Sequence, residues 1–161
     1  MILKKERNRN RRLLGKRPRL LLCDDQKLIR EYVRALVKEL ATIEIIGEAG
    51  DGLTAVRMAL ELKPDLILMD VSMPGLNGIE ATRRILAEAP WIRVLGYSSY
   101  SDQHTVRSTL SAGALGYVKK PSDPVVLMTG LMKVLGGERY LSVQLKRGSG
   151  RPGLIKKMQP L

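Results

Sequence analysis

The sequence predicts an α/β fold, a doubly wound parallel sheet of five strands and five helices, and three observations carry that expectation. First, short apolar runs alternate with helical patterns five times along the chain. Second, right-handed crossovers between parallel strands put helices on both faces of such a sheet. Third, three of the runs end in chemically active residues. Leu20-Leu21-Leu22-Cys23 leads into Asp24-Asp25, Leu66-Ile67-Leu68-Met69 into Asp70, and Leu115-Gly116-Tyr117-Val118 into Lys119-Lys120-Pro121. The carboxyl ends of parallel strands line the functional crevice of an open α/β sheet. The acids and the lysine should therefore converge on one pocket, suited to a divalent cation and a phosphoryl group.

Each element has its own signal. Residues 1–18 show no sustained apolar period and read as a flexible basic arm. Strand 20–23 follows. Helix 26–40 places Ile29, Val33, Leu36, Val37 and Leu40 on one face. Residues 43–47 are β-branched and strand-like. Gly50-Asp51-Gly52 is a turn, with Asp51 as N-cap of helix 53–62. Pro64 stops that helix before the third strand. Asn77 caps helix 78–88, with Ile79, Thr82, Ile85 and Leu86 inward, and Pro90 ends it. The fourth strand is 91–97. Ser101 or Asp102 starts a helix to Ala112, closed by Gly113. Strand 115–119 and helix 124–135 complete the set, and Gly136-Gly137 ends the last helix. Gly96 in mid-strand weakens the fourth strand on propensity.

A length of 161 residues fits one domain with tails. One cysteine excludes an internal disulfide framework. No apolar stretch reaches the ~18 residues of a membrane span, and no apolar core of a secretory signal follows the basic N-terminus. The net charge of +12 is uneven. Residues 1–19 carry +8, residues 20–142 carry −1 and residues 143–161 carry +5. Basic tails of this kind suit solvated disorder or non-specific contact with nucleic acid.

Several ordered motifs now converge: Cys-Asp-Asp at 23–25, Gly-Glu-Ala-Gly-Asp-Gly at 47–52, Asp-Val-Ser-Met-Pro-Gly-Leu-Asn-Gly at 70–78, Ser98, Gly-Tyr-Val-Lys-Lys-Pro at 116–121 and Gly-Glu-Arg-Tyr-Leu-Ser at 137–142. Over residues 19–142 the chain resembles the receiver domain of bacterial two-component response regulators, of the NarL/FixJ (LuxR-type) family. That resemblance implies a flavodoxin-like (βα)5 sheet of strand order 2-1-3-4-5. It implies phosphorelay signalling, with Asp70 as phosphoacceptor and a sensor histidine kinase as donor and partner. It further implies a cytoplasmic protein that switches by protein contact, including homodimer formation, and that is part of or derived from a transcription regulator. A receiver promotes its own phosphorylation and is not ordinarily classed as an enzyme.

The same resemblance places Mg²⁺ on Asp25 and Asp70, with Asp24 acting through water and the backbone carbonyl of Ser72 as a further ligand. Chemistry supports the placement, because adjacent carboxylates in a crevice repel unless a cation joins them. Mg²⁺ favours oxygen ligands shared with phosphate. Lys120 stands opposite as the group that pairs with phosphoryl oxygens. Ser98 resembles the switch hydroxyl and Tyr117 the aromatic that turns inward with it. The Lys120–Pro121 peptide is implied to be cis.

Three departures from the family pattern are visible: Gly96, the second lysine Lys119, and a tail at 143–161 with glycine, proline and lysine where a helix-turn-helix output domain is usual. Two competing functions share parts of this pattern. One is nucleic-acid binding through the basic tails on a receiver scaffold, with steep salt dependence. The other is flavin binding, which Asp24-Asp25 at the first turn would oppose by repelling a flavin phosphate. Gly47, Gly50 and Gly52 form turns, not a dinucleotide loop. Cys23 reads as a buried apolar residue, and His104 as an exposed helical residue without a metal partner.

Overall fold

The structure, a computed structural model, describes residues 15–146. Helices on both faces cover a six-stranded, wholly parallel sheet of order β2-β1-β3-β4-β5-β6. The strands are β1 Arg19–Cys23, β2 Glu44–Ala49, β3 Leu66–Met69, β4 Arg93–Ser98, β5 Gly116–Lys119 and β6 Tyr140–Leu141. The helices are α1 Lys27–Leu40, α2 Gly52–Leu62, α3 Gly78–Glu88, α4 Gln103–Ser111 and α5 Pro124–Leu135. The five expected strands and helices are present in the expected order, and Lys120–Pro121 is cis.

Strand alternation divides the core between the two faces. Leu20, Leu22, Leu66, Leu68, Leu95 and Val118 point toward Val33 and Val37 of α1 and Leu127, Leu131 and Val134 of α5. Leu21, Cys23, Ile67, Met69 and Val94 point toward Ala55 and Ala59 of α2 and Ala81 and Ile85 of α3. Runs that are apolar at every position are what a strand covered on both faces requires. Capping fixes where the helices begin. Asp51, Asn77 and Asp102 accept hydrogen bonds from the backbone N–H of Thr54, Glu80 and Thr105 at 2.8, 2.9 and 2.8 Å. Asp123 accepts from Val125 at 2.8 Å, with Pro124 opening α5.

Four differences from the sequence expectation have physical causes. Gln26 is extended, not helical, because Asp24 accepts its N–H at 2.9 Å and turns the chain before α1. Leu40, placed on the buried face of α1, is 46% exposed; it lines an open groove with Leu36, Val125, Met128 and Met132. Tyr140–Leu141 adds a sixth strand, too short to show any period, with Tyr140 opposite Gly116 and Leu141 opposite Tyr117. Residues 143–146, assigned by charge to the tail, lie against α4 through Gln103 and Arg107.

Gly96 has a steric reason. It faces Tyr117 across the β4–β5 ladder, and a Cβ there would stand 3.0 Å from Tyr117 Cδ2 and 3.1 Å from Thr109 Cγ2. The Tyr117 ring uses the space that a β-branched residue would fill. Gly96→Val should destabilise the protein by about 1–3 kcal/mol through overpacking. Shortening Tyr117 to Ala should remove much of that increment in the double variant. Denaturant midpoints of the four proteins measure it, and additive losses would deny the contact.

Candidate functional site

Backbone hydrogen bonds bring the acidic strand ends together before any side chain acts. Asp70 N–H donates to the Cys23 carbonyl at 2.8 Å, and Asp24 N–H donates to the Ala49 carbonyl at 2.9 Å. The start of α3 then presses on the same turn. Gly78 N–H donates to the Val71 carbonyl at 2.8 Å, and a Cβ at residue 78 would lie 1.9 Å from the Asp70 carbonyl oxygen. Only glycine permits that approach.

The result is a cluster in which carboxylate oxygens of Asp24, Asp25 and Asp70 all lie within 4.8 Å of one another. Asp24 and Asp70 are buried and Asp25 is exposed at the mouth. Lys120 reaches the cluster from β5. Its buried ammonium forms an ion pair with Asp24 and stands 3.6 Å from Asp70 Oδ2. Lys120 N–H donates to the Ser98 carbonyl at 2.8 Å, which ties the lysine loop to the end of β4.

Burial pushes the Asp70 carboxyl up to about 6; Lys120 opposes that rise, while Asp24 and the neighbouring Asp25 add to it. A hydrogen bond from Ser72 N–H to Asp70 Oδ1 at 3.2 Å also works to lower it. Burial, with Asp24 adding to it, pushes the Cys23 thiol far above the ordinary range, which fits an unreactive apolar residue.

Ser98 is buried at the end of β4, and its Oγ lies 3.4 Å from Tyr100 N. Tyr117 is fully buried, and its hydroxyl donates to the Tyr100 carbonyl at 2.6 Å. The loop after Ser98 is thus held by both residues. Ser72 sits at the exposed rim two residues past Asp70. Lys119 is exposed and, among the described residues, makes no ion pair with the acids. His104 is exposed on α4 and stays outside the carboxylate cluster.

Two residues of this site carried no sequence signal. Arg30 donates to the Asp24 carbonyl at 2.7 Å and to Glu48 Oε2 at 3.3 Å, holding the acidic turn from behind. The Tyr97 ring centroid lies 5.1 Å from the Lys120 ammonium. An arginine on a helix and an aromatic in a strand look ordinary until the fold sets them beside the acids.

Chemically, among the described residues the pocket offers the oxygens of three carboxylates, net negative charge and the Lys120 ammonium on its far wall. A hard divalent cation fits that donor set.

The chain is similar to known proteins over this same region. The family model for the response regulator receiver domain matches residues 20–132. The response regulator GacA of Pseudomonas viridiflava is 35% identical over 127 residues, which are 79% of this chain and 59% of that protein. The transcriptional regulatory protein LiaR of Bacillus subtilis is 39% identical over 123 residues, 76% of this chain and 58% of that protein. The chain therefore spans somewhat over half the length of these relatives. Among solved structures, a two-component response regulator of the LuxR family from Aurantimonas sp. SI85-9A1 superposes with a TM-score of 0.75 at 35% identity, covering 79% of this chain and 91% of that one. The matches give no support to nucleic-acid binding through the tails, a reading whose residues lie mostly outside the described ones. Family model, relatives and fold agree that the chain belongs to the response regulator receiver domain family.

Proposed function

We propose that Asp70 accepts a phosphoryl group from the phosphohistidine of a sensor histidine kinase, and that the phosphorylated domain signals through an altered surface. One observation carries this reading: Asp70 is a buried carboxylate flanked by two further acids and faced by Lys120 at 3.6 Å. An Asp70 carboxylate oxygen attacks phosphorus, the new O–P bond forms as the P–N bond breaks, and the departing imidazole takes a proton. Lys120 pairs with the phosphoryl oxygens and offsets their charge.

The family binds Mg²⁺ at its acidic pocket, and the all-oxygen donor set here fits that ion. Asp25 and Asp70 would hold it directly, Asp24 through water, and Ser72 by its backbone carbonyl. When bound, the ion supplies the positive charge that lets a phosphoryl dianion approach three carboxylates. Asp25→Asn should lower Mg²⁺ affinity. It should also stabilise the metal-free protein by about 1 kcal/mol, the water-like limit for two charges within 4.8 Å, since Asp25 is exposed. Magnesium titrations and metal-free unfolding curves give both; unchanged affinity would remove Asp25 from the ligand set.

Ser98 is the hydroxyl that turns toward the phosphoryl group, and Tyr117 is the ring that occupies the buried position when it does. The receiver unit spans residues 19–142, between a basic arm at 1–18 and a basic tail at 143–161 whose first residues, 143–146, pack on α4. The name of the LiaR relative, a transcriptional regulatory protein, supports a place in, or descent from, a transcription regulator. Partners are the kinase and a second copy of the chain, in the cytoplasm; among the described residues no helix is long and apolar enough to cross a membrane.

The test is incubation of the full chain with acetyl phosphate and Mg²⁺. Intact mass should rise by one phosphoryl group, in an adduct stable to acid and cleaved by base. An adduct that survives base, or none, overturns the reading.

A further inference from the structure

Beyond β6 the chain bends at Ser142 and Val143 and runs on without regular structure to residue 146, and its exposure alternates. Ser142, Gln144 and Lys146 face solvent, while Val143 and Leu145 are half-buried. The alternation sets one side of the segment against the core and the other toward solvent. Val143 and Leu145 pack on the cluster of Val71, Val106 and Tyr117, joined by Ile79 and Leu110.

The backbone of this segment is held by side chains. Gln103 Nε2 donates to the Gln144 carbonyl at 3.0 Å, and Gln103 Oε1 accepts from Lys146 N–H at 3.0 Å. One side-chain amide thereby takes the place of a neighbouring strand's peptide group. Arg107, one turn along α4, donates to the Lys146 carbonyl at 2.6 Å. At the other end, Ser142 N–H donates to the Tyr117 carbonyl at 3.0 Å, and Ser142 Oγ accepts from Lys119 N–H at 2.9 Å. The segment is thus fastened to β5 at one end and to α4 at the other, and Tyr117 lies beneath it.

We propose that residues 142–146 form a strap that holds Tyr117 in its buried position, so that docking of the strap and occupation of the Asp70 site by a phosphoryl group stabilise each other. The strap depends on the Ser98–Tyr117 switching proposed above. With the ring buried over Gly96 and its hydroxyl on the Tyr100 carbonyl, Tyr117 is part of the surface on which Val143 and Leu145 rest. A ring swung outward leaves the space over Gly96 and takes that surface away. Strap docked and Tyr117 buried are then one state. Any ligand at Asp70 that favours the buried ring favours the docked strap, and by linkage the strap raises the affinity for that ligand by the same factor.

The experiment compares the full-length parent with Gln103→Ala and Leu145→Ser, each with Mg²⁺ and beryllofluoride as the phosphoryl mimic. Neither residue belongs to the Asp70 pocket, and hydrogen exchange of β1 and β3 amides verifies the fold of each variant. In the parent, beryllofluoride should slow exchange of the Lys146 amide. Each variant should bind beryllofluoride about three- to tenfold more weakly, the range that one or two hydrogen bonds can supply. Equal beryllofluoride affinity in the parent and both variants would overturn the strap alone and leave Asp70 as the acceptor. A parent that fails to bind beryllofluoride would overturn the Asp70 assignment, and the strap's link to it with it.

Discussion

Asp70→Asn is expected to take up no phosphoryl group from acetyl phosphate and Mg²⁺, and to be more stable than the parent without metal. Both effects come from one carboxylate. The amide has the same shape but lacks the nucleophilic oxygen charge, so intact mass should stay unchanged under conditions that phosphorylate the parent. The stability gain follows from the cost of keeping Asp70 ionised where it is only 5% exposed. Burial outweighs the help of Lys120 and lifts its pKa from 3.8 to about 6. Each tenfold change in proton affinity is worth ~1.4 kcal/mol, so the charge costs about 2–3 kcal/mol at neutral pH. The sign of the pH dependence is fixed by linkage. Between pH 6 and 4 the folded chain binds a proton at Asp70 that the unfolded chain does not. The parent's penalty is therefore complete above about pH 6, shrinks as pH falls through that window, and is gone below the unfolded value of 3.8. Denaturant unfolding in chelator should show Asp70→Asn ahead at pH 7.5 and the two proteins closing on each other toward pH 4. A gap that widens on acidification, or no gap at pH 7.5, would mean that Asp70 bears no burial cost. Phosphorylation of the variant would move the acceptor elsewhere.

Much of this site was legible because the signal lies in residue type at a strand end. Asp24, Asp25, Asp70, Ser98 and Lys120 each follow an apolar run, and parallel strands must deliver such residues to one edge. N-caps were legible for a similar reason, since Asp51, Asn77 and Asp102 act within three residues of themselves. What stayed hidden depends on contacts between elements. Leu40 satisfies the helical period of α1, yet no other element covers it fully. Gly96 looks like a weak strand residue until Tyr117 is set against it. The strap is hidden most completely. Val143 and Leu145 sit in a segment whose charge and glycine content suggest a tail, and the groups that hold it, Gln103 and Arg107, are some forty positions earlier. Local pattern locates the crevice; it does not say which distant side chain holds a segment in place.

Lys120→Met is expected to produce the largest loss of stability among single changes in this pocket, about 3–5 kcal/mol in metal-free protein at neutral pH, the scale for breaking a buried ion pair. Lys120 is 8% exposed and faces Asp24 and Asp70, each 5% exposed. It forms an ion pair with Asp24 and lies 3.6 Å from Asp70. Methionine keeps most of the side-chain volume, so no large cavity confuses the result. What it removes is the cation, leaving Asp24 and Asp70 buried beside each other and beside Asp25 without a counter-charge. The contact of the ammonium with the Tyr97 ring, 5.1 Å to its centroid, goes at the same time and adds about 0.5–2 kcal/mol at most. The ionic part can be isolated by adding Asp24→Asn. If uncompensated charge is the cause, the double variant recovers much of the loss and the two changes are strongly non-additive. Mg²⁺ should also restore stability to Lys120→Met more than to the parent, because in the variant it would replace the missing positive charge beside the acids. Unfolding curves of the four proteins, with chelator and with Mg²⁺, decide the matter. Additive losses with no greater Mg²⁺ response in Lys120→Met would mean that the lysine holds this pocket by packing, and that its charge is reserved for the incoming phosphoryl group.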